Sequence, residues 1–448
     1  MKKIFSFILF ISLLLISSCT INSKYPDDLD DFEANIDLPS DTEADISILI
    51  PGGNVNETSM IEKAIEGFNL KYPNINISLG YVSVGSYENT VRNQALAGSL
   101  PDIVWTNSPD FYFLVDKNIA LPLNQYIDLS EEAGIFDLET DFYKEYFDIG
   151  SVDDKHYVVP RSADSVVTFY NKKLLEEAGV NLTLIENGWS WDTFMDVCLQ
   201  VREYLDSKGH TDRYVLDANL TTWLSVNYPI LRSMGADITD GTGKLTIDSE
   251  ETREALELVK RMLDERIIVP TGITPGSSFE AGTSAFLFQS ASVSLFAERK
   301  ELKGNIDIVS FPLIGENPKI GTGIAGYSIN SASAYKDEAW AFLNYLISYE
   351  GQQNMALGGL NTPSIRQDLA DYTTANWGEG YREFNLDAYL YGMEYKIAPD
   401  FFQYYDAKYK SDLDLALRDL FNNVCNKNKT IEESIATAVR DMEDALES

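Results

Sequence analysis

Few side chains in this chain could do covalent or metal chemistry. There are three cysteines and two histidines, His156 and His210. That stock assembles neither a zinc cluster nor a histidine-based triad. Seventy acids supply many carboxylates, yet no pair stands at a spacing that marks a glycosidase. Asp237, Asp240 and Asp248 could offer oxygens to calcium, but their spacing is not that of an EF-hand loop. Cys198 shares a helical stripe with Trp191, Phe194 and Val201, and Cys425 sits in a late helix. Both read as buried thiols, with a disulfide between them left open. Cys19 is different. It closes Ile16-Ser17-Ser18-Cys19 behind Lys2, Lys3 and the apolar run Ile4 to Ile16. This is the layout of a secretory signal, too short to span a bilayer comfortably.

The elements that must position the remaining side chains read as α/β. The chain has 448 residues, 44% hydrophobic and 12% aromatic, enough for two or more compact units. Its formal charge is −35, and loss of Lys2 and Lys3 with the signal takes it to about −37. Such a charge repels nucleic acid and anionic lipid. Residues 20–44 are polar and acidic and predict a solvated tether. Asp45 to Pro51 predicts the first strand, and Ser59 with Glu62 predicts a capping box for the helix after it. Ile75, Ile77 and Leu79 alternate as in a half-buried strand. Further strands are expected at Pro101–Trp105, Tyr157–Pro160, Val166–Tyr170, around Phe286 to Phe296, and at Ala325–Asn330. Helices are expected at Lys172–Ala178, Trp191–Tyr204 and Ser249–Leu263, and over a last segment capped by Thr430 and Glu433. Strand and helix alternate from the start, which implies layered α/β architecture.

The Ser17-Ser18-Cys19 ending resembles the lipobox of bacterial lipoproteins, whose cysteine carries a diacylglycerol thioether; an ordinary cleaved signal is the alternative. A longer series of segments resembles the family 1 extracellular solute-binding proteins, the sugar-binding lipoproteins of ABC importers related to maltose-binding protein. The series runs Phe68 to Ile77, Leu100 to Trp105, Asn118 to Leu123, Tyr157 to Pro160, Tyr170 to Lys173 and Trp189 to Phe194. It continues through Ala325 to Asn330, Glu350 to Gln353, Asn361 to Pro363 and the Thr430 helix, in the family's order.

The resemblance implies a two-lobed periplasmic-binding-protein-like α/β fold of type II, its hinge crossed more than once and its ligand cleft between the lobes. Crossings are expected near 160–165, 325–328 and 371–377. The implied division is 1–18 signal peptide, 19–44 lipidated tether, 45–163 with 327–372 as lobe 1, and 164–326 with 373–448 as lobe 2. The implied role is capture of a mono- or oligosaccharide by lobe closure for the permease subunits of an ABC importer. No enzymatic step, cofactor or metal is expected, and the protein is expected to act as a monomer held at the outer membrane face by lipid alone. A polyamine, a peptide or another small solute is the alternative ligand.

Sugars stack their C–H faces on aromatic rings and need fixed donors and acceptors for their hydroxyls. By the family's pattern the cleft loops would carry Asn54, Ser86, Tyr87, Thr106, Asn107, Asp110, Asp164, Trp223, Tyr228, Glu298, Arg299, Tyr327, Arg366 and Tyr404, with Phe402 beside the last. Trp105, Trp189, Trp191 and Trp340 read as packing residues instead. The first loop, Gly52 to Asn56, has neither the aromatic nor the acid that many relatives carry there, which argues against a maltodextrin.

Overall fold

The computed structural model describes residues 25–26, 29, 32–52, 55–107, 111–218, 220, 223–268, 277–290, 293–323, 325–359, 362–371, 380–425 and 429–447. Cys19, Asn54, Asp110 and most of the third expected crossing lie outside them. The strands used below are β1 (Ala44–Gly52), β2 (Ile75–Ser83), β3 (Ile103–Asn107), β4 (Val159–Pro160), β5 (Val167–Asn171), β6 (Leu216–Asp217), β7 (Phe286–Gln289), β8 (Ile306–Ser310), β9 (Ile320–Gly321), β10 (Ala325–Ile329) and β11 (Lys396–Ile397).

Two separate sheets organise the chain. The first has the order β2-β1-β3-β10-β4, and the second β8-β5-β7-β6. In the first sheet β1 is an interior strand, parallel to both β2 and β3. Its Ile46, Ile48, Leu49 and Ile50 are all buried, as expected of a strand covered on both faces. β10 returns antiparallel to β3, pairing Ile329 with Ile103 and Ala325 with Asn107. In the second sheet β5 is antiparallel to both β8 and β7, and β6 runs parallel to β7.

The chain passes between the two sheets at two described crossings. Pro160 ends β4 in the first sheet and Val167 opens β5 in the second, so residues 161–166 carry the chain across. Gly321 to Ala325 carries it back. Backbone bonds tie the two passages to their surroundings: Arg161 N–H donates to Ala325 O at 2.9 Å, and Val166 N–H to Gly321 O at 2.8 Å. Two glycines make the return possible. A Cβ on Gly321 would lie 1.6 Å from Ser225 O, and one on Gly326 2.2 Å from Val159 O. No side chain fits either place.

Helices cover both sheets. Those that matter here are α1 (Val55–Lys71), α2 (Val84–Leu96), α3 (Phe111–Asp116), α4 (Trp191–Ser207), α5 (Leu224–Ser233), α6 (Glu250–Asp264), α7 (Lys336–Ile347), α8 (Lys410–Cys425) and α9 (Ile431–Glu447). Local chemistry sets several ends. Ser249 caps α6 by accepting from Thr252 N–H at 3.1 Å. Thr430 and Glu433 form the reciprocal box that opens α9, at 3.1 and 2.8 Å. On α4, Trp191, Phe194, Cys198 and Val201 are buried as the stripe predicts. Cys198 and Cys425 are free thiols, both buried.

Three expectations need correction. α1 begins at Val55, so Ser59 lies a turn inside the helix instead of capping it. The Val293–Phe296 stretch is a helical turn, Ser294–Ala297, not a strand: Ala297 N–H donates to Val293 O at 3.0 Å. The third correction concerns the tether, because residues 32–38 are not solvated chain. Phe32, Ala34, Ile36 and Leu38 alternate onto the first sheet's core. Phe32 lies 5.7 Å from Tyr126, ring to ring. Ala34 N–H reaches Gln125 Oε1 at 3.2 Å, and Asn35 N–H reaches Asp337 Oδ1 at 3.1 Å. The period of two lets one face pack while the acids keep the other.

Candidate functional site at the crossing between the sheets

In open α/β sheets, ligands sit beyond the carboxyl ends of the strands. Here those ends are Gly52, Ser83 and Asn107 in the first sheet, and Asp217 and Gln289 in the second. The crossing residue Asp164 lies between the two sets.

On the first side, Tyr87, Glu88, Val91, Arg92, Trp105 and Thr106 line a shallow concavity together with Asn107, Phe113 and Leu114. Tyr87 and Trp105 meet edge to face at 5.5 Å. The Tyr87 hydroxyl is tied back to the Leu49 and Trp105 carbonyls at 2.8 and 2.9 Å, which fixes the ring. Arg92 pairs with Glu88 at 2.9 Å and lies 4.2 Å over the Phe113 ring. Among the described residues, Trp105 Nε1 and Asn107 Oδ1 are buried and have no hydrogen-bond partner. The concavity therefore joins ring surface, one carboxylate, one unmatched donor and one unmatched acceptor. That set suits hydroxyls and C–H faces, and it contains no nucleophile.

Asp164 is half-buried. Its main-chain carbonyl accepts from the Tyr146 hydroxyl and, at 2.5 Å, from Thr322 Oγ1, while its carboxylate accepts from Ser165 N–H at 2.8 Å. Burial pushes its pKa up to about 6, against the opposing pull of Arg161, the Ser165 N–H and Lys396. Lys396 is buried on β11 and donates to Ser165 Oγ. Burial pushes its pKa down to about 7, against the pull of Asp164 and Glu394. No sequence signal marks Lys396, since it reaches Ser165 from 231 residues away.

On the second side, Trp223 stands half-buried at the start of α5, past β6. Tyr404 is 40% exposed, its hydroxyl beside Gly241. Tyr228 is buried and donates to Asp400 Oδ1 at 2.6 Å. Tyr112, on α3 of the first sheet's body, lies with its ring 6.4 Å from Phe402 of the second. Burial, with Asp400 and Tyr404 close by, raises the Tyr112 pKa. Tyr112, Phe402, Tyr228 and Asp400 thus form an aromatic and acidic contact between the two halves, which local sequence does not reveal.

Thr106 excepted, since it lines the first concavity, the other residues in the expected set lie apart from these groups. Ser86 is exposed on α2, and Thr106 is buried within β3. Tyr327, 1% exposed, is part of the first sheet's core and offers no open ring face in this form. Arg366 is buried and grips Asp368 in two bonds of 2.8 and 2.9 Å, over the Phe142 ring. Glu298 and Arg299 are exposed; they pair with Lys303 at 2.6 Å and Glu280 at 3.6 Å. Asp237, Asp240 and Asp248 turn to Arg232, to the turn at Thr242 and to Arg253, respectively, and share no common centre.

Comparison with known proteins decides the lineage. The bacterial extracellular solute-binding protein family matches residues 52–353. The chain belongs to that family. An arabinooligosaccharide-binding protein of Halalkalibacterium halodurans is 25% identical over 224 residues, 48% of this chain and 45% of that protein. The chain thus aligns with about half the length of this relative. The arabinooligosaccharide-binding protein of Bacillus subtilis is 23% identical over 68% of this chain and 70% of its own. An ABC substrate-binding protein from Listeria monocytogenes, solved in complex with cycloalternan, superposes with a TM-score of 0.72 at 18% identity, covering 91% of this chain and all of that one. The fold is therefore the two-lobed α/β fold of solute-binding proteins. Among the described residues, no helix is long and apolar enough to cross a membrane.

Proposed function

We propose that this solute-binding protein captures a carbohydrate in the cleft at Asp164 and presents it, unchanged, to the permease subunits of an ABC importer. The observation that carries the reading is that Asp164, half-buried on the segment passing from one sheet to the other, is held by the hydroxyls of Tyr146 and of Thr322 on the returning passage. Lobe 1 is 45–163 with 327–372, and lobe 2 is 164–326 with 373–448. Their closure buries the sugar, driven only by its stronger binding to the closed form. Trp223, Tyr404, Trp105 and Tyr87 offer ring surface, while Asp164, Glu88 and Asn107 serve the hydroxyls. The family pattern adds Asn54 and Asp110, both outside the described residues, to this set.

The relatives named for arabinooligosaccharides make a pentose oligomer the first ligand to try. Catalysis, a cofactor and a metal play no part in this reading. Cys19 carries a lipid that holds the monomer outside the cell, and the few residues before Tyr25, whose hydroxyl donates to Ala95 O at 3.0 Å, serve as its tether.

A melting-temperature panel of arabinose, maltose and their oligomers tests the ligand class. A saturable rise with at least one saccharide is expected, about 2.7 kcal/mol of added stability at a hundredfold excess over Kd. A rise with polyamines and none with any sugar overturns it.

A further inference from the structure

Lys396 is a buried cation at the back of the hinge. It is 8% exposed, and the β11 strand it opens pairs with Ile320 of β9 at the return crossing. Among the described residues, its ammonium makes one hydrogen bond, to the neutral Ser165 hydroxyl, and no carboxylate comes within ion-pair distance. A buried ammonium with so little compensation costs several kcal/mol in ordinary proteins. Its neighbours say what it acts upon. Asp164 is the first charged group that stabilises its cationic form, and Glu394, two residues away, is the second. From the other side, Asp164 is flanked by Arg161 and by the buried hydroxyls of Tyr146 and Tyr389. Ser165 bridges the pair, since its N–H donates to the Asp164 carboxylate and its hydroxyl accepts from Lys396.

We propose that Lys396 is a positioning residue for sugar capture, holding the Asp164 carboxylate ionised and fixed through Ser165 so that it can accept from sugar hydroxyls. This rests on the reading of Asp164 as a sugar-facing group. A protonated carboxyl keeps fewer acceptor sites and makes weaker hydrogen bonds than a carboxylate. Asp164, with its pKa raised to about 6, stands close to losing its charge in mildly acid medium. The nearby cation counters that loss. Above its own midpoint, near 7, Lys396 is neutral and its help fades, but there Asp164 stays ionised unaided.

The test uses the soluble protein from residue 25 and its Lys396→Met and Lys396→Arg forms. Carboxyl carbon resonances of aspartate-labelled protein are followed with pH, with Asp164 assigned by its absence in Asp164→Asn. Lys396→Met is expected to move the Asp164 titration to higher pH, and Lys396→Arg to keep it at or below the parent's. Arabinotriose affinity, by calorimetry, should then fall about tenfold at pH 6 in Lys396→Met and agree within about twofold at pH 8.5. An Asp164 titration that does not move in Lys396→Met overturns the proposal. So does an affinity loss of equal factor at every pH, the mark of a purely structural lysine. Failure of the parent to bind arabinotriose counts against that sugar as ligand, and the resonance titration then decides the lysine's role alone.

Discussion

Trp105 and Asp164 show how single residues divide stability from function. Among the described residues, Trp105 Nε1 has no hydrogen-bond partner. An unmatched buried donor costs about 1–3 kcal/mol. Trp105→Phe keeps a ring against Tyr87 and removes that donor. Urea unfolding should therefore show unchanged or slightly higher stability, while calorimetry should show weaker sugar binding. Asp164 behaves likewise. Its folded pKa, about 6, lies above the ordinary 3.8, so the native state holds its proton more tightly than the unfolded chain. Its charged form therefore works against folding at pH 7, and that penalty falls as pH drops through 6 toward 4. Asp164→Asn should raise the melting temperature at pH 7, the gain should vanish near pH 4, and sugar affinity should be lost. A lower melting temperature at pH 7 would show that the carboxylate is better paired than its surroundings indicate. Sequence marked Asp164 because the family's pattern runs straight through Pro160 to Tyr170. It could not foresee that Tyr228 would be tied to Asp400, 172 residues on, because partner choice at that range belongs to the fold.

At the scale of elements, what was legible was what is local. The Thr430–Glu433 box closes within one turn, and the stripe on α4 repeats within one helix. Thr430→Ala should cost about 1 kcal/mol in urea unfolding without touching sugar affinity. The N-terminal segment was misread because its acids outweighed the Phe32, Ala34, Ile36 and Leu38 alternation in the composition. Packing follows the alternation instead. The contact of α3 with the second lobe was invisible for another reason: Phe111 to Val115 reads simply as an apolar run. Tyr112→Ala removes ring contact with Phe402 across the lobes. The ligand-free variant should scatter X-rays with a larger radius of gyration than the parent and bind sugar more weakly. An unchanged radius would mean that this contact does not hold the halves together.

The whole molecule is built on two larger sheets joined by chain crossings made narrow by Gly321 and Gly326. Alternating strands and helices made the α/β class readable, and the ordered family segments made the family and its two-lobed fold readable. Which aromatic rings face the cleft was not readable, since Tyr327 and Tyr404 differ only in the neighbours the fold gives them: one is 1% exposed and the other 40%. The central claim is that a sugar closes these halves on each other. Spin labels at Leu70, 84% exposed beside the first sheet, and Leu184, 47% exposed beside the second, report the separation directly. With Cys198 and Cys425 buried, cysteines at the two label sites react selectively. Adding the saccharide that raises the melting temperature should narrow the pulsed electron–electron distance distribution and shift it to shorter values. A distribution that is the same with and without that saccharide contradicts closure.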